Sequence, residues 1–173
     1  MLAIDTQNLH PSTLACLELL TWLHERATFH KALEIGCGGG ILSLATASIW
    51  GAQVVAIDIS ENAVYDTQAA AKAHGLESLV TVLRSDGFSH PAIAESAPYE
   101  LILCNVLAEL QTRLAQDIKK HVIPGGHILL SGIMAWKAEA TLQVYTGLGF
   151  EIAYKIEKSP WISCLLLSPN GHN

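Results

Sequence analysis

Hydrophobic positions along this chain alternate between two periods. Short apolar runs of strand length occur at Ala32–Ile35, Val54–Asp58, Ser78–Leu83, Leu101–Cys104 and His127–Ser131. Between them, apolar residues return every three to four positions, the spacing of a helix with one buried face. That spacing predicts helices from His10-Pro11-Ser12-Thr13 to about Arg26, over Ile41–Ile49, from Ser60 to about His74, along Leu107, Leu110, Leu114 and Ile118, and over 135–148. Proline suits a first helical turn and Ser or Thr suits the cap, which marks the first start. Leu14, Leu17 and Leu20, flanked by Leu19 and Leu23, are expected to face the core. Ser60 can cap the third helix and Gly75 can end it. Residues 87–98 read as a loop or short helix, and Pro124-Gly125-Gly126 as a turn. The last runs, Phe150–Ile156 and Ile162–Leu167, join across Ser159-Pro160 as a hairpin. Strand and helix alternate five times before that pair, which predicts an α/β sheet with helices on both faces. The hairpin makes one strand antiparallel to the rest.

Candidate chemistry concentrates at strand ends. Leu33 to Gly40 is a strand followed by a glycine-dense turn that opens into a helix. Such a turn lets a ligand approach the main chain, and the following helix presents free N–H groups. Gly36, Gly38 and Gly40 form an E-x-G-x-G-x-G pattern with Glu34 just before the turn. A carboxylate there is costly to bury unpaired, so Glu34 needs a partner: a ligand amine, direct or through water, or the backbone of a neighbouring loop. Asp58 ends the second strand about 20 residues after the turn, where an acid can hold a ribose hydroxyl pair. Its alternative role is to cap the helix near Ser60. Ile59 is then expected beside an adenine, and Asp86, ending strand three, is expected to accept from the adenine amino group or to serve only as a turn residue. Asn105 ends strand four, where its carbonyl can orient an incoming amine, or where it can cap the next helix. Ligands of open α/β sheets bind at the carboxyl ends of strands, and Glu34, Asp58, Asp86 and Asn105 all fall there.

Composition narrows the partners. Half of the 173 residues are hydrophobic and 15% are charged, which supports a real core. A net charge of −6 disfavours electrostatic binding to nucleic acid or anionic membrane. Lys119-Lys120 is the only adjacent basic pair. Cys16, Cys37, Cys104 and Cys164 form no CxxC pair, so no zinc or redox motif is expected and no metal is assigned. No signal peptide or membrane span is read, and a reduced cytoplasmic location is the expectation.

Four stretches together carry a resemblance. The glycine motif Leu33–Leu42 resembles that of the class I S-adenosylmethionine-dependent methyltransferases. With His10-Pro11-Ser12-Thr13, Asn105-Val106-Leu107-Ala108, and Leu130-Ser131-Gly132-Ile133 followed by Gly149-Phe150 and Trp161, the chain resembles the PrmA family of ribosomal-protein lysine methyltransferases. The likeness covers essentially the whole chain and implies one catalytic domain, 1–173, with an N-terminal loop and helix at 1–26 and a core at 31–173. It implies a Rossmann-like fold with a seven-stranded, mostly parallel sheet. The cofactor implied is S-adenosyl-L-methionine, with S-adenosyl-L-homocysteine as product. Thr13, Gly36, Asp58 and Asn105 match the family's cofactor-binding positions, and His10 and Leu107 are placed near the acceptor. Two departures stand out. Thr6-Gln7-Asn8 occupy the place of the family's Gly-Thr-Gly. The family's N-terminal substrate-recognition domain has no counterpart in these residues. The acceptor is therefore expected to be a protein amino group or, in the rival reading, a small molecule. A non-catalytic cofactor-binding subunit and a nicotinamide dehydrogenase are the remaining alternatives.

Overall fold

The computed structural model describes residues 7–170; Thr6, which belongs to the segment before His10, lies outside the described residues. Its centre is a seven-stranded sheet: β1 (Lys31–Ile35), β2 (Gln53–Asp58), β3 (Val80–Arg84), β4 (Tyr99–Asn105), β5 (Val122–Met134), β6 (Glu151–Lys158) and β7 (Trp161–Leu167). The order is β3-β2-β1-β4-β5-β7-β6. Every neighbour pair is parallel except those made by β7, which runs antiparallel to both β5 and β6. Six helices flank the sheet: α1 (Pro11–His24), α2 (Ile41–Trp50), α3 (Glu61–Ala73), α4 (Pro91–Ser96), α5 (Ala108–His121) and α6 (Ala135–Gly147).

Central strands of a parallel sheet are covered on both faces, so their residues are apolar on both. Alternate residues serve two cores. Leu33, Ile35, Val55, Ile57, Ile102 and Cys104 point toward α4, α5 and α6, among Ile93, Leu114, Ile118, Leu142 and Tyr145. Ala32, Val54, Ala56, Leu101 and Leu103 point the other way, toward Cys16, Leu19, Leu20, Leu42 and Ala71 of α1, α2 and α3. Glu34 alternates onto this second face and is itself buried. All four cysteines are buried, free thiols.

The structure revises several elements. The cap of α1 is His10, whose ring accepts from the Ser12 amide, and not Ser12 or Thr13. The helix ends at His24, and its fully buried face is Cys16, Leu19, Leu20 and Leu23; Leu14 and Leu17 are half-buried. Residues 87–98 contain a true short helix, α4. Pro124-Gly125-Gly126 does not separate α5 from its strand. It lies inside β5, where the register with β4 slips between Tyr99 and Leu101. Turn-forming residues here make a bulge, which strands tolerate when one side runs longer. On α5 the buried positions are Ala108, Gln111, Leu114, Ala115 and Ile118. Leu107 is the N-cap and is 70% exposed, so the expected leucine stripe is rotated away from it. Asn105 belongs to β4 and does not cap α5.

Candidate active site

The carboxyl ends of β3, β2, β1 and β4 open onto two adjoining clefts. One, about 310 Å³, is walled by Ile35, Gly36, Asp58, Ile59, Asp86, Arg113 and their neighbours. The other, about 220 Å³, is walled by Thr13, Glu34, Gly36, Cys37, Gly38, Gly39, Ile41, Leu42 and Asn105. They meet at Gly36. Together they are of a size that suits a drug-sized ligand.

The glycine turn divides the two clefts, and its conformation follows from its residues. Gly36 has φ +76, and a Cβ there would run into Val106 Cγ1. Only glycine allows both the left-handed backbone and this close approach of the β4 exit loop. Gly38 also has a positive φ, +53, yet a Cβ there would meet nothing within 4 Å. The space over Gly38 is open, and its backbone faces the second cleft.

Asp58 spans the turn and α3. Its Oδ2 accepts from the Gly38 amide at 3.0 Å, and its Oδ1 accepts from the Ser60 amide at 2.9 Å. Ser60, not Asp58, is the N-cap of α3, accepting from the Ala63 amide. Asp58 thus ties the glycine turn to α3 and also walls the first cleft. Ile59 beside it is 63% exposed. Asp86 lines the same cleft, after Ser85, whose hydroxyl donates to the Gly87 carbonyl at 2.8 Å.

Glu34 is 2% exposed and walls the second cleft. Its partner is the Ser43 hydroxyl of α2, which donates to its carboxyl, not a neighbouring loop's backbone. Burial pushes its carboxyl up to about 8, against the downward pull of Ser43. Cys37, also in this wall, is raised to about 12 by burial. Asn105 faces the same cleft, and its Nδ2 donates to Thr13 Oγ1 at 3.4 Å. That contact brings the start of α1 against the end of β4. His10 is exposed at the same helix start, its ring edge-on to Trp161 at 4.8 Å. His10 and Leu107 both stand outside the walls of the two clefts.

The sequence reading missed the residues that hold this frame from behind. Thr67 of α3 donates to the Gly38 carbonyl at 2.9 Å and packs at Gly40, where a Cβ would come within 2.7 Å of its methyl. Thr67 and Ser43 are buried hydroxyls within helical patterns, and a polar residue at a core position was the signal available in each case. Arg113 reaches the first cleft from α5; no periodicity argument singles it out.

Comparison with known proteins agrees with this layout. A family model described as ribosomal protein L11 methyltransferase (PrmA) matches residues 6–168. A ribosomal protein L11 methyltransferase of Mesorhizobium japonicum is 32% identical over 154 residues, covering 89% of this chain and 53% of that protein. The chain therefore spans about half the length of this relative. Among solved structures, a ribosomal protein L11 methylase of Lactobacillus delbrueckii subsp. bulgaricus superposes with a TM-score of 0.82 at 22% identity, over 95% of this chain and 81% of that one. An RNA methyltransferase of Salinibacter ruber in complex with S-adenosyl-L-homocysteine superposes at 0.71 with 15% identity, over 95% and 96%. These two likenesses establish the Rossmann-like methyltransferase fold. Since the matched stretch takes in all seven strands and both clefts, the chain belongs to the ribosomal protein L11 methyltransferase (PrmA) family.

Proposed function

We propose that the chain is an S-adenosyl-L-methionine-dependent methyltransferase acting on an amino group, with a protein lysine as acceptor. The observation that carries this reading is the paired cleft: an acid row, a glycine turn and an amide share one sheet edge. The residues fit the cofactor. Open space over Gly38 leaves room for a chain lying across the turn, which Gly36 and Gly40 shape on either side. In this reading Asp58 accepts from the ribose hydroxyls, Ile59 lies against the adenine, and Asp86 accepts from its amino group. Glu34 and Thr13 serve the methionine end. S-adenosyl-L-methionine supplies an electrophilic methyl: the amine lone pair forms the N–C bond, the C–S pair returns to sulfur, S-adenosyl-L-homocysteine leaves, and the extra nitrogen proton passes to water.

Asn105 then orients the amine with its carbonyl, since Nδ2 is already committed to Thr13. An ammonium has no lone pair, and an apolar slot lowers a lysine pKa by desolvation. Positioning supplies most of the acceleration, up to roughly 7–11 kcal/mol in well-aligned systems. His10 and the exposed Leu107 stand at the acceptor side. We place the whole of 1–173 in one catalytic domain, working in the cytoplasm, and with no nucleic acid as partner. Among the described residues no helix is long and apolar enough to cross a membrane.

Calorimetric titration with S-adenosyl-L-methionine tests the cofactor, and radiolabelled methyl transfer to ribosomal proteins and lysine peptides tests the acceptor. Micromolar binding with transfer to a lysine supports the reading; no binding sinks it. Thr67→Val adds a graded check, because valine keeps the packing at Gly40 and removes the hydroxyl that bonds the Gly38 carbonyl at 2.9 Å and, more weakly, the Cys37 sulfur at 3.4 Å, both in the glycine turn. One neutral hydrogen bond corresponds to a dissociation constant weakened roughly 3- to 10-fold. A change under about twofold would show that the turn holds its shape without it.

A further inference from the structure

We propose that Gln111 is a positioning residue that sets the height of Asn105 over the glycine turn. This rests on the methyltransferase reading above. Gln111 sits on the buried face of α5 at 0% exposure, where the apolar pattern calls for a leucine-type residue. Its Nε2 donates to two carbonyls, Val106 O at 2.7 Å and Ser131 O at 2.5 Å. Its Oε1 is buried with no hydrogen-bond partner. An unsatisfied buried acceptor is a standing penalty that an apolar side chain would not carry. The two bonds therefore need a reason beyond stability.

Geometry supplies one. The link between β4 and α5, Val106 and Leu107, has little of its own to hold it. Leu107 is an apolar N-cap with no side-chain cap bond. Gln111 reaches back one turn and pins the Val106 carbonyl, the peptide unit next but one after the Asn105 side chain, to strand β5. On one side Val106 Cγ1 fills the space that makes Gly36 obligatory. On the other, Gly132 has φ +75, and a Cβ there would come within 3.0 Å of both Asn105 Oδ1 and Val106 O. The loop is thus wedged between the cofactor turn and β5, and the Gln111 side chain ties it to β5. Behind it, the buried Tyr145 hydroxyl donates to the Gln111 carbonyl at 2.9 Å, which anchors this part of α5 to α6. Gln111 lines neither cleft, so it acts only through Asn105 and Val106.

The test is Gln111→Met in the full chain. Methionine conserves length and apolar volume and removes both bonds along with the orphan acceptor. Expected is a fall in kcat of roughly 10- to 100-fold, as a misplaced catalytic group produces. The dissociation constant for S-adenosyl-L-methionine stays within about threefold. Amide exchange at 105–108 quickens while that of β1 and β2 is unchanged. An unchanged kcat, or a drop in Tm with full activity in the folded fraction, overturns the proposal and leaves Gln111 as packing. If Gln111→Met does not fold, Gln111→Leu gives the same readout, since it too lacks both donors and is the residue type the helical pattern calls for there. A wild-type chain that binds cofactor but methylates nothing defeats the acceptor reading instead. The tether is then judged by the exchange at 105–108, where no change between wild type and variant defeats it.

Discussion

Replacing Asp58 with alanine weakens S-adenosyl-L-methionine binding by about 100-fold or more. A carboxylate accepting from two ribose hydroxyls makes two charge-assisted bonds, each worth roughly 1.5–3 kcal/mol, and together they reach a hundredfold in affinity. The same carboxylate also holds the Gly38 and Ser60 amides, so part of the loss comes from a slackened turn. Titration with adenosine separates the two contributions, because adenosine has the ribose but nothing to lay across the turn. An equal fractional loss for adenosine and for the full cofactor assigns the effect to the ribose. A loss confined to the full cofactor assigns it to the turn and removes Asp58 from the ribose. Asp58→Asn retains one acceptor oxygen and should fall between the two. Calorimetry on the three proteins is sufficient, and an Asp58→Ala chain that binds both ligands normally refutes the assignment outright.

Glu34→Gln should stabilise the chain and weaken the cofactor at the same time. The Glu34 carboxyl titrates near 8 in the folded chain because burial penalises its charge; in an unfolded chain it titrates at the ordinary 4.5. Below the unfolded value both states hold the proton, and Glu34 has no pH-dependent effect. Between the two values the unfolded state releases the proton while the folded state keeps it. Stability then falls as pH rises, by about 1.4 kcal/mol per unit, until the folded group also ionises. Above that point the loss is complete, on the order of 3–5 kcal/mol. Glutamine can accept from Ser43 without this liability. Urea unfolding of both proteins should therefore agree near pH 4–5 and diverge up to pH 8–9, with the variant the more stable. A difference that stays constant across this range would mean that Glu34 is ionised when folded.

The cofactor carries a cationic amine, and pairing it with Glu34 favours the carboxylate. Binding near neutral pH should then release close to one proton from wild type and none from Glu34→Gln, measured as the dependence of binding enthalpy on buffer ionisation. The variant's affinity should fall by about tenfold, the scale of one charged hydrogen bond. Retaining an acid where it lowers stability is the pattern of a site whose ligand, when present, offsets the burial.

Much of the architecture was legible because it depends on local periodicity. The apolar runs at Ala32–Ile35, Val54–Asp58 and Leu101–Cys104 have strand length, and each lies within an observed strand. Gly36, Gly38 and Gly40 were readable as a turn since no other residue type tolerates those backbone angles without strain. The hairpin at Ser159-Pro160 implied one antiparallel strand, and β7 is that strand. Three misreadings share one cause: local signals that tertiary packing overrode. Pro124-Gly125-Gly126 looks like a turn, but it lies within β5 where the register with β4 slips, and the Gly126 carbonyl accepts from the Ser168 amide just beyond β7. Leu107 fits a leucine stripe, but it caps a helix whose buried face starts one residue later. Ser12 and Thr13 have the chemistry of a cap, but His10 stands one position before the proline that begins the helix, and its ring takes the amide.

By itself the sequence determined the alternation of strands and helices along the chain, the glycine turn, and that Asp58 and Asn105 end strands, because these follow from side-chain alternation and backbone sterics over a few residues; Asp86, read as ending strand three, lies two residues past β3. Only the tertiary structure decided which of those polar groups share a cleft, that Ser43 rather than a loop holds Glu34, that Asp58 ties the turn to α3, and that Gln111 braces the loop after Asn105. Partners that lie 9, 20 or more positions apart are set by how strands stack and helices dock, and no local pattern encodes that distance.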